Sequence, residues 1–165
     1  MAREAKRRSR CVAAALLALA CGAGLGPSAA GAPSTFGPVI GSALLCRSQL
    51  DNQFFYAYLQ DAFGPAYLHE GGAYWFKAEG SLWGAAISDV IVSDDSSDIV
   101  FVGAVVETTP SGLDEAIVKA VGVHHNKVDA SAFAPLASQP GSRIVYFKDR
   151  SKIFCAKFKP LPAGS

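Results

Sequence analysis

At 165 residues, half of them apolar, the chain is long enough for one domain with a sizeable core. Formal charge is +1 overall, and setting aside residues 1–30 leaves ten basic against 13 acidic residues, a net charge of −3. General nucleic-acid binding, which needs a basic footprint, finds no support in that balance.

Residues 1–30 read as a signal peptide. Arg3, Lys6, Arg7, Arg8 and Arg10 make a basic start, residues 11–25 are an Ala/Leu-rich run short of a membrane span, and Ser28-Ala29-Ala30 suits a small-residue cleavage site. The expected location is periplasmic or secreted. The alternative is a lipoprotein anchored through Cys21, since Ala18-Leu19-Ala20-Cys21 approximates a lipidation site. No later apolar segment is long enough to cross a bilayer as a helix. Of four cysteines, Cys46 and Cys155 lie beyond the leader, and two thiols in an exported chain most simply form one disulfide.

Residues 31–43, rich in Gly, Ala, Pro and Ser, read as a flexible lead-in to a single domain over 44–159, with a disordered tail at 160–165. A first helix is expected over 49–63, opened by Ser48 and stopped by Gly64-Pro65. Leu50, Phe54, Phe55, Tyr58, Leu59 and Ala62 form its apolar stripe, and Tyr56 falls on the opposite side with the glutamines. A short strand at 66–69 turns through Glu70-Gly71-Gly72 into a meander of strands at 73–78, 82–93 and 99–107. The breaks at Glu79-Gly80-Ser81 and at 94–98 carry turn residues. The last of these strands is apolar on both faces, which predicts a central strand covered on both sides; Gly84 and Gly103 mark bulges or close backbone approach. A second helix over 112–121 takes Ser111 as N-cap, Leu113, Ile117, Ala120 and Val121 as buried stripe, and Gly122 as stop. A hairpin of 143–147 and 152–158 closes the chain. The order points to an α+β fold: an antiparallel sheet of about five strands with helices packed on it.

Reaction chemistry finds little to build on. His69, His124 and His125 have no metal-ligand spacing, there is no G-x-S-x-G and no phosphate loop, and no motif implies a cofactor. A Ser/His/Asp triad would have to assemble from distant loops. Asp94, Asp95 and Asp98 read as an exposed, solubilising turn rather than as paired acid and base or a weak calcium loop.

Two features stand above this background. Ten of the seventeen aromatic residues fall between Phe54 and Trp83, and among them Tyr56, Trp75 and Trp83 are candidates for an exposed recognition patch. Residues 143–165 carry a net +5, with Arg143, Lys148, Arg150 and Lys152 as a candidate basic patch whose plainer reading is protection of an edge hairpin. The expectation is therefore a small exported bacterial envelope protein, a non-catalytic binding module that meets a protein partner or a small apolar ligand. The alternatives are a loop-assembled hydrolase, with His69/Glu70 or His124/His125 supplying the base, and a carrier holding an apolar ligand between sheet and helices.

Overall fold

The computed structural model describes residues 31–159. The expected signal peptide, the Cys21 anchor and the expected tail at 160–165 lie outside the described residues. One antiparallel sheet organises the molecule. Its strands are β1 (Leu68–Glu70), β2 (Ala73–Leu82), β3 (Ala85–Ser93), β4 (Ile99–Val106), β5 (Asn126–Lys127), β6 (Leu136–Ala137), β7 (Arg143–Phe147) and β8 (Arg150–Phe158). They lie in the spatial order β1-β2-β3-β4-β8-β7-β6-β5. Two meanders thus meet at a β4–β8 seam in the middle, and the edges are strands of only three and two residues. Short edges leave little unpaired backbone for strand addition.

The α+β class holds, but among the described residues the sheet has eight strands rather than about five, and there are three α-helices rather than two. The extra strands β5 and β6 lie in the irregular segment after the last helix and are too short to show a period-two pattern. Because β8 pairs with both β4 and β7, the last strand is internal rather than at an edge; β7 is covered by β6 only at Arg143 and Ile144, so edge protection remains a reading for the end of β7 alone.

Residues 31–43 are not a lead-in. A π-helical turn, Gly37–Gly41, runs directly into α1 (Ser42–Leu44), and Phe36, Ile40, Ala43 and Leu44 are buried in the main core. Phe36, Ile40 and Leu44 recur at helical i, i+4 spacing, a signal that the Gly, Pro and Ser around them hid. Cys46, next to α1, is bonded to Cys155 of β8, with Cα atoms 5.3 Å apart and a sequence separation of 109 positions. The expected disulfide therefore clamps the N-terminal segment onto the centre of the sheet.

Helix α2 (Asn52–Phe63) begins later than expected, because the Asp51 carboxylate caps Phe54 N–H at 3.0 Å. Its buried face is Phe55 and Leu59, while Phe54 is 52 % exposed. Tyr56 lies against Tyr74 and Phe76, ring centroids 4.6 and 5.6 Å away. Helix α3 (Pro110–Val121) is capped by Thr109, whose hydroxyl accepts from Gly112 N–H, so Pro110 takes the first helical position in place of the expected Ser111 start. Leu113 and Ile117 are buried as expected, but Ala120 and Val121 are exposed and Asp114 is buried in their place.

The first long hairpin turns at Trp83-Gly84, not at Glu79-Gly80-Ser81. Both turn residues have positive φ, 55° and 84°, the backbone that suits a two-residue hairpin. Gly80 instead sits beside a register shift in the β2–β3 ladder, where a Cβ would lie 2.8 Å from Ala32 Cβ. The helices cover one face only. Val102, Ala104 and Val106 of β4 point into the main core, whereas Phe101, Gly103 and Val105 point to a face on which no described helix lies, so this strand is central but not covered on both sides.

Candidate functional site

The open face is built row by row from the strand register. Its middle row crosses the sheet as Trp75, Ile91, Gly103 and Phe154, each paired with the next. The row beside it runs Ala73 to Ser93 on one side, and Phe101 to Ala156 on the other. Large rings therefore alternate with Gly and Ala, and a hollow of about 460 Å³ opens over Gly103 between Trp75, Phe101 and Phe154. That volume falls in the range of small-ligand pockets, roughly 300–1,000 Å³.

Gly103 lines this hollow, and neither backbone conformation nor steric contact at the Cβ position calls for a glycine there. Its φ is ordinary, and a Cβ would meet only normal contacts, 3.5 Å from Ile153 O and Phe154 Cβ and 3.9 Å from Ile91 Cβ. The strand carries a glycine that costs about 0.5–1 kcal/mol relative to alanine without steric need. Neither is Gly103 at a bulge; the register runs through it unbroken on the β8 side.

Lys152 stands in the third row, opposite Val105. Its ammonium lies 4.3 Å from the centroid of Phe147 and 5.0 Å from that of Trp75. Burial of this lysine pushes its pKa below the ordinary value. Among the described residues no carboxylate forms an ion pair with it. Its neighbours on the same face differ. Asp89, 5 % exposed, accepts from Lys77 Nζ at 2.7 Å, from Tyr67 OH at 2.8 Å and from Ser88 Oγ at 2.7 Å. Burial by itself would raise the Asp89 carboxyl, and the bonds from Lys77, Ser88 and Tyr67 outweigh it and hold the pKa low. Arg150 is held by Glu107 at 2.6 Å and by Ser88 Oγ at 3.1 Å.

The residues singled out from the sequence are thus separated. Trp75 lines the hollow over Gly103; Tyr56 lies on the opposite face, in a separate hollow of about 360 Å³ with Asn52, Tyr74 and Asp94. Trp83 is at the hairpin tip, its ring next to Gly41. The three do not make one patch, because successive strand residues point to opposite faces and helix α2 sits on only one of them. Of the four basic residues, Lys152 alone lines the hollow; Arg150 is paired, Lys148 lies 5.9 Å from the Phe147 ring, and Arg143 is exposed on β7. Phe101 and Phe154 are not among the sequence candidates, and Gly103 is expected only as a bulge or close backbone approach. For Phe101 and Gly103 the signal is the both-faces-apolar pattern of β4, which reads as covering layers that only one face has.

The histidines form two clusters. His69 stacks on Tyr74 with centroids 4.0 Å apart and bonds Asp94 Oδ2 through Nε2 at 2.6 Å. The other Asp94 oxygen accepts from Ser96 Oγ at 2.6 Å and from Ser96 and Ser97 N–H at 2.9 and 3.1 Å. The bonds from Ser96 and His69 lower the Asp94 pKa to about 2. Asp94 is therefore turned inward as the acceptor that shapes its turn, not an exposed solubilising acid. The second cluster lies where α3 meets the loop before β7. Asp114 Oδ1 accepts from His125 N–H at 2.7 Å and lies 3.1 Å from His125 Nδ1, while Nε2 lies 3.2 Å from Ser142 Oγ. His124 Nδ1 meets the other Asp114 oxygen at 2.7 Å. With Asp114 as acceptor, the His125 proton belongs on Nδ1, and Nε2 accepts from the Ser142 hydroxyl. The sequence of contacts is that of a Ser-His-Asp relay, but Ser142 is 0 % exposed and His125 2 %. Its evident work is to tie the loop to α3.

No helix among the described residues is long and apolar enough to cross a membrane, and no group of three or more His, Cys, Asp or Glu among them is placed to hold a metal ion. No family model, curated protein or solved structure matches the chain.

Proposed function

We propose that the protein is a small exported, non-catalytic binding module of the bacterial envelope, and that its binding site is the hollow over Gly103 on the open face of the sheet. The observation that carries this reading is a glycine, unneeded by backbone or packing, that leaves a ring-lined depression at the centre of an otherwise continuous sheet. Concave, mostly apolar sites with a few polar groups are where small ligands bind. Export is supported by the Cys46–Cys155 disulfide together with the basic-then-apolar N-terminal sequence.

The chain has two tryptophans, so Trp83→Phe leaves Trp75 as the only indole, inside the proposed site. Titration of that protein with the uncharged probe N-phenyl-1-naphthylamine is expected to quench Trp75 saturably at one probe per chain. Gly103→Leu fills the hollow and abolishes the signal; Gly103→Ala, which the ladder accommodates, weakens it. Absence of saturation, or binding indifferent to both substitutions, would remove this site from consideration.

A second reading, hydrolysis, draws on the Asp114–His125–Ser142 line. The burial of Ser142 weighs against it, since a nucleophile must reach its substrate. Treatment with a fluorophosphonate is expected to leave Ser142 unlabelled; labelling at that serine would favour the hydrolase.

A further inference from the structure

The rows of the open face differ in how their charges are balanced. Lys77 is matched by Asp89 and Arg150 by Glu107, each pair in direct contact. Lys152 stands in the same row as Lys77 and Asp89, but among the described residues its ammonium makes no ion pair and lies over the faces of Trp75 and Phe147. Ring faces attract a cation weakly when it is partly solvated, and they do not replace the hydration that burial removes. An anion at this point would have a charge-assisted partner in a partly desolvated setting, where such contacts are strongest.

The hollow is also polar at one end in a particular sense. Glu70 lines it beside the β1–β2 turn, next to Ala73, whereas Lys152 stands two rows away along the sheet. An acidic group is repelled from the first end and attracted to the second. Between the two lie Gly103, Phe101, Trp75 and Phe154, which offer only apolar surface.

Resting on the binding role proposed above, we infer that the hollow takes a small free amphipathic anion: an apolar body laid over Gly103, with a carboxylate, sulfonate or similar head group against the Lys152 ammonium. Rings on three sides of an open hollow give a discrete small molecule more contact than a flat lipid surface could make with it. Lys152 is the cross-strand partner of Val105, which is 0 % exposed, so removing the charge alone requires a residue that keeps the stem, such as methionine.

Two probes with one skeleton separate the claims. 1-Anilinonaphthalene-8-sulfonate carries an anionic group that N-phenyl-1-naphthylamine lacks. The wild-type protein is expected to bind the sulfonate at least about tenfold more tightly, the effect of one charge-assisted contact. Lys152→Met is expected to erase that preference, read as the ratio of the two probes' affinities for the same variant, and Lys152→Arg to retain it. The preference should shrink with added salt. Equal affinity of the two probes for the wild type, or a preference that survives Lys152→Met, would overturn the anion assignment while leaving a Gly103-dependent binding site standing. If neither probe saturates, or if Gly103→Leu changes neither, the binding role itself fails. Co-sedimentation with phosphatidylglycerol vesicles without saturable binding of either probe would place a membrane surface on this face and overturn the inference.

Discussion

The two faces of the sheet use the same kinds of residue for different ends. On the helix-covered face Phe76, Ala78, Val90, Val102 and Ile153 are fully buried, and α1, α2 and α3 supply the opposing side chains. On the open face Trp75, Phe101 and Phe154 are only partly buried, and they stand around a vacancy instead of filling one. Glycine shows the contrast best. Gly80 is needed because the chain at Ala32 crosses too closely for a side chain; Gly103 has room for one and lacks it. Packing explains the first. For the second, a surface kept concave is the physical account, since the strand would be more stable with alanine.

Breaking the clamp on the covered face should have the largest effect. Replacing Cys46 and Cys155 by alanine releases a closure of 109 residues, which chain entropy values at about 4–5 kcal/mol and practice often at less. The urea midpoint of unfolding reads the loss directly. Truncation of rings comes next and separates the faces. Phe76→Ala should cost about 3–5 kcal/mol, Phe101→Ala about 1 kcal/mol, because a partly exposed ring on an open face leaves no closed cavity. Equal costs would mean that the open face is packed as a core. The glycine pair gives a smaller and opposite-signed test. Gly80→Ala should destabilise by about 1–3 kcal/mol through overpacking, whereas Gly103→Ala should stabilise by about 0.5 kcal/mol. Destabilisation by Gly103→Ala would show that the hollow is a packing requirement.

The smallest expected effect is a slope with pH. Burial lowers the pKa of His125 below its ordinary 6.5, so the folded state holds it neutral while the unfolded chain binds the proton. Its contribution is full above about pH 6.5 and is lost as pH falls below that value toward the folded pKa. The urea midpoint of the wild type should therefore decline between pH 7 and 5. His125→Gln, whatever its own cost, should flatten that decline. Asp94, with its pKa lowered to about 2, contributes in full throughout this window and loses that contribution only as pH falls below the ordinary carboxyl range, so it adds no slope here.

Much of the fold was legible in local signals. The Gly71-Gly72 turn, the break after Ser93, the ends of α2 and α3 at Gly64 and Gly122, and the Cys46–Cys155 bridge all stand as expected. Errors came where one signal admitted two structures. Gly80 reads as a turn until Ala32 is seen above it, and the apolar β4 reads as sandwiched until the helices prove to lie on one side. The candidate site was half legible: Trp75 and Lys152 were marked, but with Tyr56, Trp83 and three other cations that the fold carries elsewhere. Asp114, His125 and Ser142 come together across 28 residues of chain, and no spacing rule anticipates that meeting.

By itself the sequence determined the class of fold, the antiparallel meander, both main helices and the disulfide, because caps, turns and hydrophobic periods act within a few residues and cysteines pair by compartment. Tertiary structure alone decided which sheet face the helices cover, that the last strand is internal, and which aromatic residues share a surface. Those are properties of register and layer order, set by contacts between segments far apart in the chain, and side-chain type does not encode them locally.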